Sequence, residues 1–136
     1  MNALNNTIDS LFLRLNFLAP WGMRLSLGIA FVIHGSSKFP LPPQILIEHF
    51  NFSPKLASLV ALSEVFAGLA IILGGFLRNH AGSLLTRLGA LLIVIIMFNA
   101  FNIAHRGWFI TAQLFTSEQI FLFVIGIYFL IKGNRQ

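Results

Sequence analysis

Ionisable and amide side chains are scarce in this chain, and those set among apolar neighbours carry most of its chemical information. Glu64 stands inside the run LVALSEVFAGLAIILGGF, residues 59–76. Burying an unpaired carboxylate is costly, so this acid must be neutral, paired, hydrated or in use. His34 and Lys38 lie four residues apart, hence on one face if the segment is helical. Asn99, Asn102 and His105 follow one another in steps of three, and Glu118 opens the last apolar run. Arg24 and Arg87 each fall a few residues inside an apolar segment. A carboxylate with imidazole and ammonium neighbours can exchange protons. The donors of His34, Lys38 and Asn99 suit the carbonyls of a quinone headgroup.

Each residue also has a quieter reading. Glu64 could be half of a structural pair with His34, Lys38 or Arg24. Glu118 suits a first helical turn, where the helix dipole favours an acid. Asn99 and Asn102 could be bonds between helices, and Arg24 and Arg87 could snorkel to a membrane interface.

Other chemistries fit worse. Among His34, Glu64, His105 and Glu118 no two stand at i,i+3 or i,i+4, so no local metal-ligand motif exists and no metal site is expected. A pair of axial haem ligands would have to be His34 and His105, and His105 is too superficial. The sole aspartate, Asp9, precedes the apolar segments, which leaves no Ser/His/Asp triad. Cysteine is absent, which removes disulfides, thiolate metal sites and iron–sulfur ligation. In any redox role the electrons must therefore come from a quinone, a cofactor or a partner.

Composition sets the solvent. The 136 residues are 57% hydrophobic and 10% charged, with mean hydropathy +0.83, against about 25% charged in soluble domains. A single domain in a bilayer is the expectation. The net charge of +5 is dispersed, with no basic stripe, and nucleic-acid binding is not expected. The N-terminus lacks the basic start and cleavage site of a signal peptide, and Asp9 and Arg14 interrupt it.

The elements that must position these groups are helices. Leu4, Ile8, Leu11, Leu15 and Leu18 oppose Asn5, Asn6 and Asp9, which predicts an amphipathic interfacial helix within 1–20, ended by Pro20. Trp21 suits a headgroup-level anchor. A first span over 21–39 reaches about 28 Å. Pro40, Pro42 and Pro43 then forbid helix, giving a loop to Phe52. Ser53 and Pro54 start a second span over 54–76. RNHAG reads as a short turn before a third span over 83–104. Thr116 and Gln119 form a capping box, and the run 120–131 reaches only about 18 Å as helix. A fourth span must therefore begin near Leu114 and run over 114–132. The predicted fold is an all-α transmembrane four-helix bundle over 21–136, preceded by the amphipathic helix. With four spans, Arg14, Arg24, Arg78, Arg87, Lys132 and Arg135 share one side, and Lys38, Lys55 and Arg106 the other. Both termini are then expected in the cytoplasm. Polar groups of all four spans converge on the non-cytoplasmic half.

The stretches RLSLGIAFVIHGSSKF, LVALSEVFAGLAIILGGFLRN, TRLGALLIVIIMFNAFNIAHRGWF and SEQIFLFVIGIYFLIKG together resemble the DoxX family. The likeness covers about Arg24 to Gly133. It rests on an arginine-started first helix ending in His-Gly and Lys-Phe, the glutamate of the second, the Thr-Arg of the third and the acid opening the fourth. The resemblance implies a small four-helix protein of the prokaryotic cytoplasmic membrane. It also implies association with membrane oxidoreductases, since the family includes the small subunit of a thiosulfate:quinone oxidoreductase. The expected roles are a membrane subunit with a quinone and proton site, a non-catalytic anchor or assembly subunit, or a small-solute or proton carrier. Partners expected are the lipid bilayer and a protein subunit or second copy, because stretches such as Leu91–Phe98 are apolar all round.

Overall fold

A computed structural model describes residues 2–109 and 111–134, with side chains from residue 5 onward. The side chain of Leu4 and residue Arg135, both used above, lie outside the described residues. Seven helices follow in order: α1 (Asn2–Leu15), α2 (Leu18–Ser36), α3 (Gln44–Phe50), α4 (Pro54–Phe76), α5 (His80–Ile103), α6 (Gln113–Thr116) and α7 (Glu118–Lys132). No strand occurs among the described residues. Among the described residues three helical stretches are long and apolar enough to cross a membrane: Asn5–Ser36, Pro54–Phe76 and His80–Ile103. At 15 residues, α7 reaches about 22 Å, short of a hydrocarbon core of roughly 30 Å. Helix α2 packs on α4, α4 on α5 and α5 on α7, while α2 touches α7 lightly.

The helix ends have local causes. Ser53 is extended and accepts a hydrogen bond from the Leu56 N–H at 3.3 Å, with Pro54 at the first helical position. Both N-terminal devices act where backbone N–H groups lack helical partners. α4 accordingly keeps the bounds 54–76. α5 begins at His80 rather than 83, because Asn79 caps it by accepting from the Gly82 N–H at 2.9 Å. α2 begins at Leu18 and ends at Ser36, not 21–39. Pro20 does not end α1. It sits in the first turn of α2, where a missing N–H costs nothing, and the break falls at Asn16 and Phe17. The expected loop after Pro43 contains α3, since Gln44 onward has no proline to prevent a turn of helix. The Thr116 capping box does not form. Thr116 donates back to Gln113 O, the chain extends at Ser117, and α6 is separated from α7 there.

Packing is close where side chains are small. Gly28, Gly35, Ala57, Ala61, Ala67, Gly68, Gly89 and Ala90 are buried, whereas Ile29, Ile33, Leu59, Phe66 and Leu73 are exposed. Small residues inside and large apolar ones outside is the pattern of helices that meet by backbone approach in lipid. Larger core side chains, among them Leu27, Phe31, Ile71, Ile93, Phe101 and Phe129, fill the space between α2, α4, α5 and α7. A close approach joins α2 to α4, where a methyl group on Gly68 would lie 2.5 Å from Gly28 O. A backbone oxygen in a packed helix cannot swing away. Gly68→Ala is therefore expected to cost about 1–3 kcal/mol through separation of the two helices. Gly22→Ala, with nothing within 4 Å of the added carbon, should be neutral or stabilising by up to about 1 kcal/mol. Unfolding by added SDS in mixed micelles measures both, and equal effects would refute the close-contact account.

Candidate functional site

Two polar clusters occupy opposite ends of the helix assembly. The first is built on Glu64, half-way along α4 and 6% exposed. Ala57, Ala61, Gly68 and Ile71 share its buried face. The small residues bring α2 close enough for Lys38, just past the α2 end, to fold back onto the acid. Lys38 Nζ pairs with Glu64 Oε2 and also reaches His34 O at 3.4 Å. The His34 imidazole, one turn earlier, meets α7 instead, with Nε2 3.2 Å from Glu118 Oε1 at its start. Of the candidate partners for Glu64, the structure selects Lys38. The pair is largely enclosed, with side-chain exposures of 18% and 8%, whereas His34 and Glu118 are 45% and 63% exposed. Two contacts, Lys38–Glu64 and His34–Glu118, thus run from a buried acid to an open edge, and His34 takes part in both, through its backbone oxygen and its side chain.

The third helix does not contribute as expected. Asn99 and Asn102 are exposed, and their amides donate to their own helix, to Ile95 O and Phe98 O at 2.8 Å each. His105 lies beyond the α5 end and stacks on Trp108, ring centroids 3.8 Å apart. The reason is the helical face. The buried stripe of α5 runs through Thr86, Gly89, Ala90, Ile93, Met97 and Phe101, and Asn99 sits about 200° around from Met97 at 100° per residue.

The second cluster surrounds Arg24, and sequence reasoning underestimated it. Arg24 does not snorkel outward; it is 5% exposed. Its Nη1 donates to Ile71 O at 2.5 Å and Thr86 Oγ1 at 3.0 Å, and its Nη2 to Asn134 Oδ1 at 3.0 Å. The guanidinium carbon lies 4.6 Å from the Phe129 ring centre, within cation–π range. Asn134 completes the knot, accepting from Thr86 Oγ1 at 2.7 Å and donating to Gly74 O at 2.6 Å and Leu77 O at 3.1 Å. Arg87 reaches across to Ile131 O at 3.1 Å, and its Nε is buried without an acceptor. Neither Thr86 nor Asn134 stood out in sequence as a member of a site. Asn134 lies in a polar tail that offers no periodicity to read.

Chemically, the Arg24 cluster holds helix ends together, and the Glu64 cluster holds groups that can gain and lose protons. Among the described residues no three His, Asp or Glu side chains are grouped to hold a metal ion. The family model described as DoxX matches residues 19–106, more than half of the chain and including both Arg24 and Glu64. No curated protein and no solved structure matches.

Proposed function

The chain belongs to the DoxX family of multi-pass membrane proteins, and from that premise we propose that it is a membrane subunit of an oxidoreductase assembly whose Glu64 cluster handles the protons of quinone chemistry. The observation that carries this reading is the burial of Glu64 against Lys38 at the head of a series leading to the open His34–Glu118 pair. Ionisable groups inside a membrane helix are costly and are functional candidates by default. The donor set fits a quinone: an imidazole in the last turn of α2 and an ammonium just past its end stand four residues apart, and His34 is half-open to an incoming carbonyl. Reduction of a quinone to its quinol takes two electrons and two protons. The electrons come from a redox protein partner, and the protons come from the two titratable pairs, Glu64–Lys38 on the enclosed side and His34–Glu118 on the open side.

In this reading α6 and α7 complete a fourth crossing, α1 lies in the interface with its exposed Ile8, Leu11 and Leu15 toward lipid, and both termini face the cytoplasm of a prokaryote. The outward-facing Asn99 and Asn102 support a protein partner or second copy on α5, since amides facing acyl chains alone gain nothing. The test is quinone reductase turnover of the co-purified assembly. Glu64→Gln, which keeps the shape and a hydrogen bond to Lys38, is expected to lower turnover about 100-fold, the usual size of a lost proton donor. Unchanged turnover with an intact assembly would overturn the reading.

A further inference from the structure

Among the described residues, the Arg24 end of the protein carries positive charge with no carboxylate side chain to match it. Carboxylates meet basic side chains at two places among the described residues, Lys38–Glu64 and His34–Glu118, and both lie at the His34 end. Of the four acids, Glu64 and Glu118 are in those pairs, Glu48 is on α3 near that same end, and Asp9 lines a separate hollow on α1. Arg24, Arg78, Arg87 and Lys132 thus meet no carboxylate among the described residues. Arg24 spreads its charge over neutral oxygens. Arg87 uses one of its five N–H donors, and the side chain of Arg78 engages none of the described residues.

Two of these cations, Arg78 and Arg87, border an open cavity of about 590 Å³ whose wall also includes His80, Ser83 and Asn134. Asn134 belongs to both this wall and the Arg24 knot, where its Oδ1 accepts from the buried guanidinium at 3.0 Å. The start of α5 adds its positive dipole end at His80. Ser83 Oγ accepts only a long bond, 3.5 Å, from Asn134 N, leaving its hydroxyl proton free to donate. Guanidinium forks, a hydroxyl and a deficit of negative charge are the requirements for an oxyanion with several acceptor oxygens. Leu84 lines the same wall and, like Phe76 and Leu77, is exposed, which gives acyl chains a surface beside the charged groups.

We propose that this cavity binds a phosphate-type oxyanion, recognised by Arg78 and Arg87 with Ser83, and carried either by an anionic lipid headgroup or by free phosphate. The site shares no residue with the Glu64 cluster, so it stands or falls separately from the quinone reading. Full-length protein in phosphatidylcholine nanodiscs with and without phosphatidylglycerol, released for native mass spectrometry, reports retained lipid. Thermal unfolding in neutral detergent with inorganic phosphate alone reports the other source. Phosphatidylglycerol held by the wild type, and held about tenfold less by Arg78→Gln and Arg87→Gln, establishes the site and its lipid ligand. A rise in Tm with inorganic phosphate that both variants lose, without lipid retention, establishes the site with a soluble ligand. Arg78→Gln breaks no hydrogen bond or ion pair among the described residues, and a ligand-free Tm equal to that of the wild type separates its loss of binding from a folding failure. Lys55→Gln, at the other end of α4, should behave as wild type. Neither lipid retention nor a phosphate-dependent Tm, or equal binding by Arg78→Gln, overturns the proposal.

Discussion

Lys38→Met will destabilise the folded protein by about 3–5 kcal/mol, Glu64→Leu by about 1.5–3 kcal/mol, and the double variant by little or nothing. The inequality follows from where each charge can go. Glu64 is fixed at mid-helix between α2 and α4, and with Lys38 gone its carboxylate has no other donor among the described residues. Removing one partner of a buried pair leaves the full desolvation cost of the other. Lys38 is better placed to escape. Its Cα lies beyond the α2 end and its side chain is already 18% exposed, so with the acid gone the four-carbon stem can carry the ammonium toward the interface. Replacing both by apolar side chains removes both desolvation costs together. SDS-driven unfolding of the four species gives the coupling energy directly, and additive losses would show that the two residues do not interact. The His34–Glu118 contact serves as comparison. At 45% and 63% side-chain exposure, breaking it should cost under about 1 kcal/mol.

The same contrast explains which parts of the site were legible in the sequence. Glu64 was legible because a carboxylate within an apolar run must be accommodated somehow, and Lys38 because a four-residue offset from His34 fixes one face. The bounds of α4 followed from Ser53–Pro54 at one end and the glycines before Phe76 at the other. The orientation of Asn99 and Asn102 was not legible in the same way. α5 is apolar all round, so hydrophobic periodicity does not tell its inside from its outside. The signal that does is size: Thr86, Gly89 and Ala90 mark the face that meets α4, and counting on from them turns both asparagines outward. In a soluble protein the large apolar residues would mark the inside. Here lipid contacts them as readily as protein does, and small residues mark it instead. α3 was hidden by the prolines before it, which restrict only themselves and the residues they follow. The Arg24 knot was hidden because its acceptors, Ile71 O, Thr86 Oγ1 and Asn134 Oδ1, come from segments up to 110 positions away in the chain.

That knot yields the second large effect, and the informative result is its order. Arg24→Lys is expected to destabilise by about 3–5 kcal/mol, more than Arg24→Leu. The guanidinium works because its fixed fork meets three acceptors on α4, α5 and the segment after α7, with the Phe129 ring against its face. A lysine ammonium keeps the burial cost and loses that reach. Its point charge cannot address Ile71 O, Thr86 and Asn134 together, and two charge-assisted bonds are forfeited at about 1.5–3 kcal/mol each. Leucine forfeits all three bonds but removes the charge whose desolvation they offset. The acceptors it abandons are not stranded. Ile71 O lies within the α4 ladder, and Asn134 Oδ1 still accepts from Thr86 Oγ1 at 2.7 Å. Leucine should therefore recover roughly half of what lysine loses. SDS unfolding of the two variants decides the matter. Should lysine prove the milder change, positive charge rather than fork geometry would be what this end of the protein requires, and Arg24 would belong with Arg78 and Arg87 as part of the anion-attracting field rather than as the tie between helices.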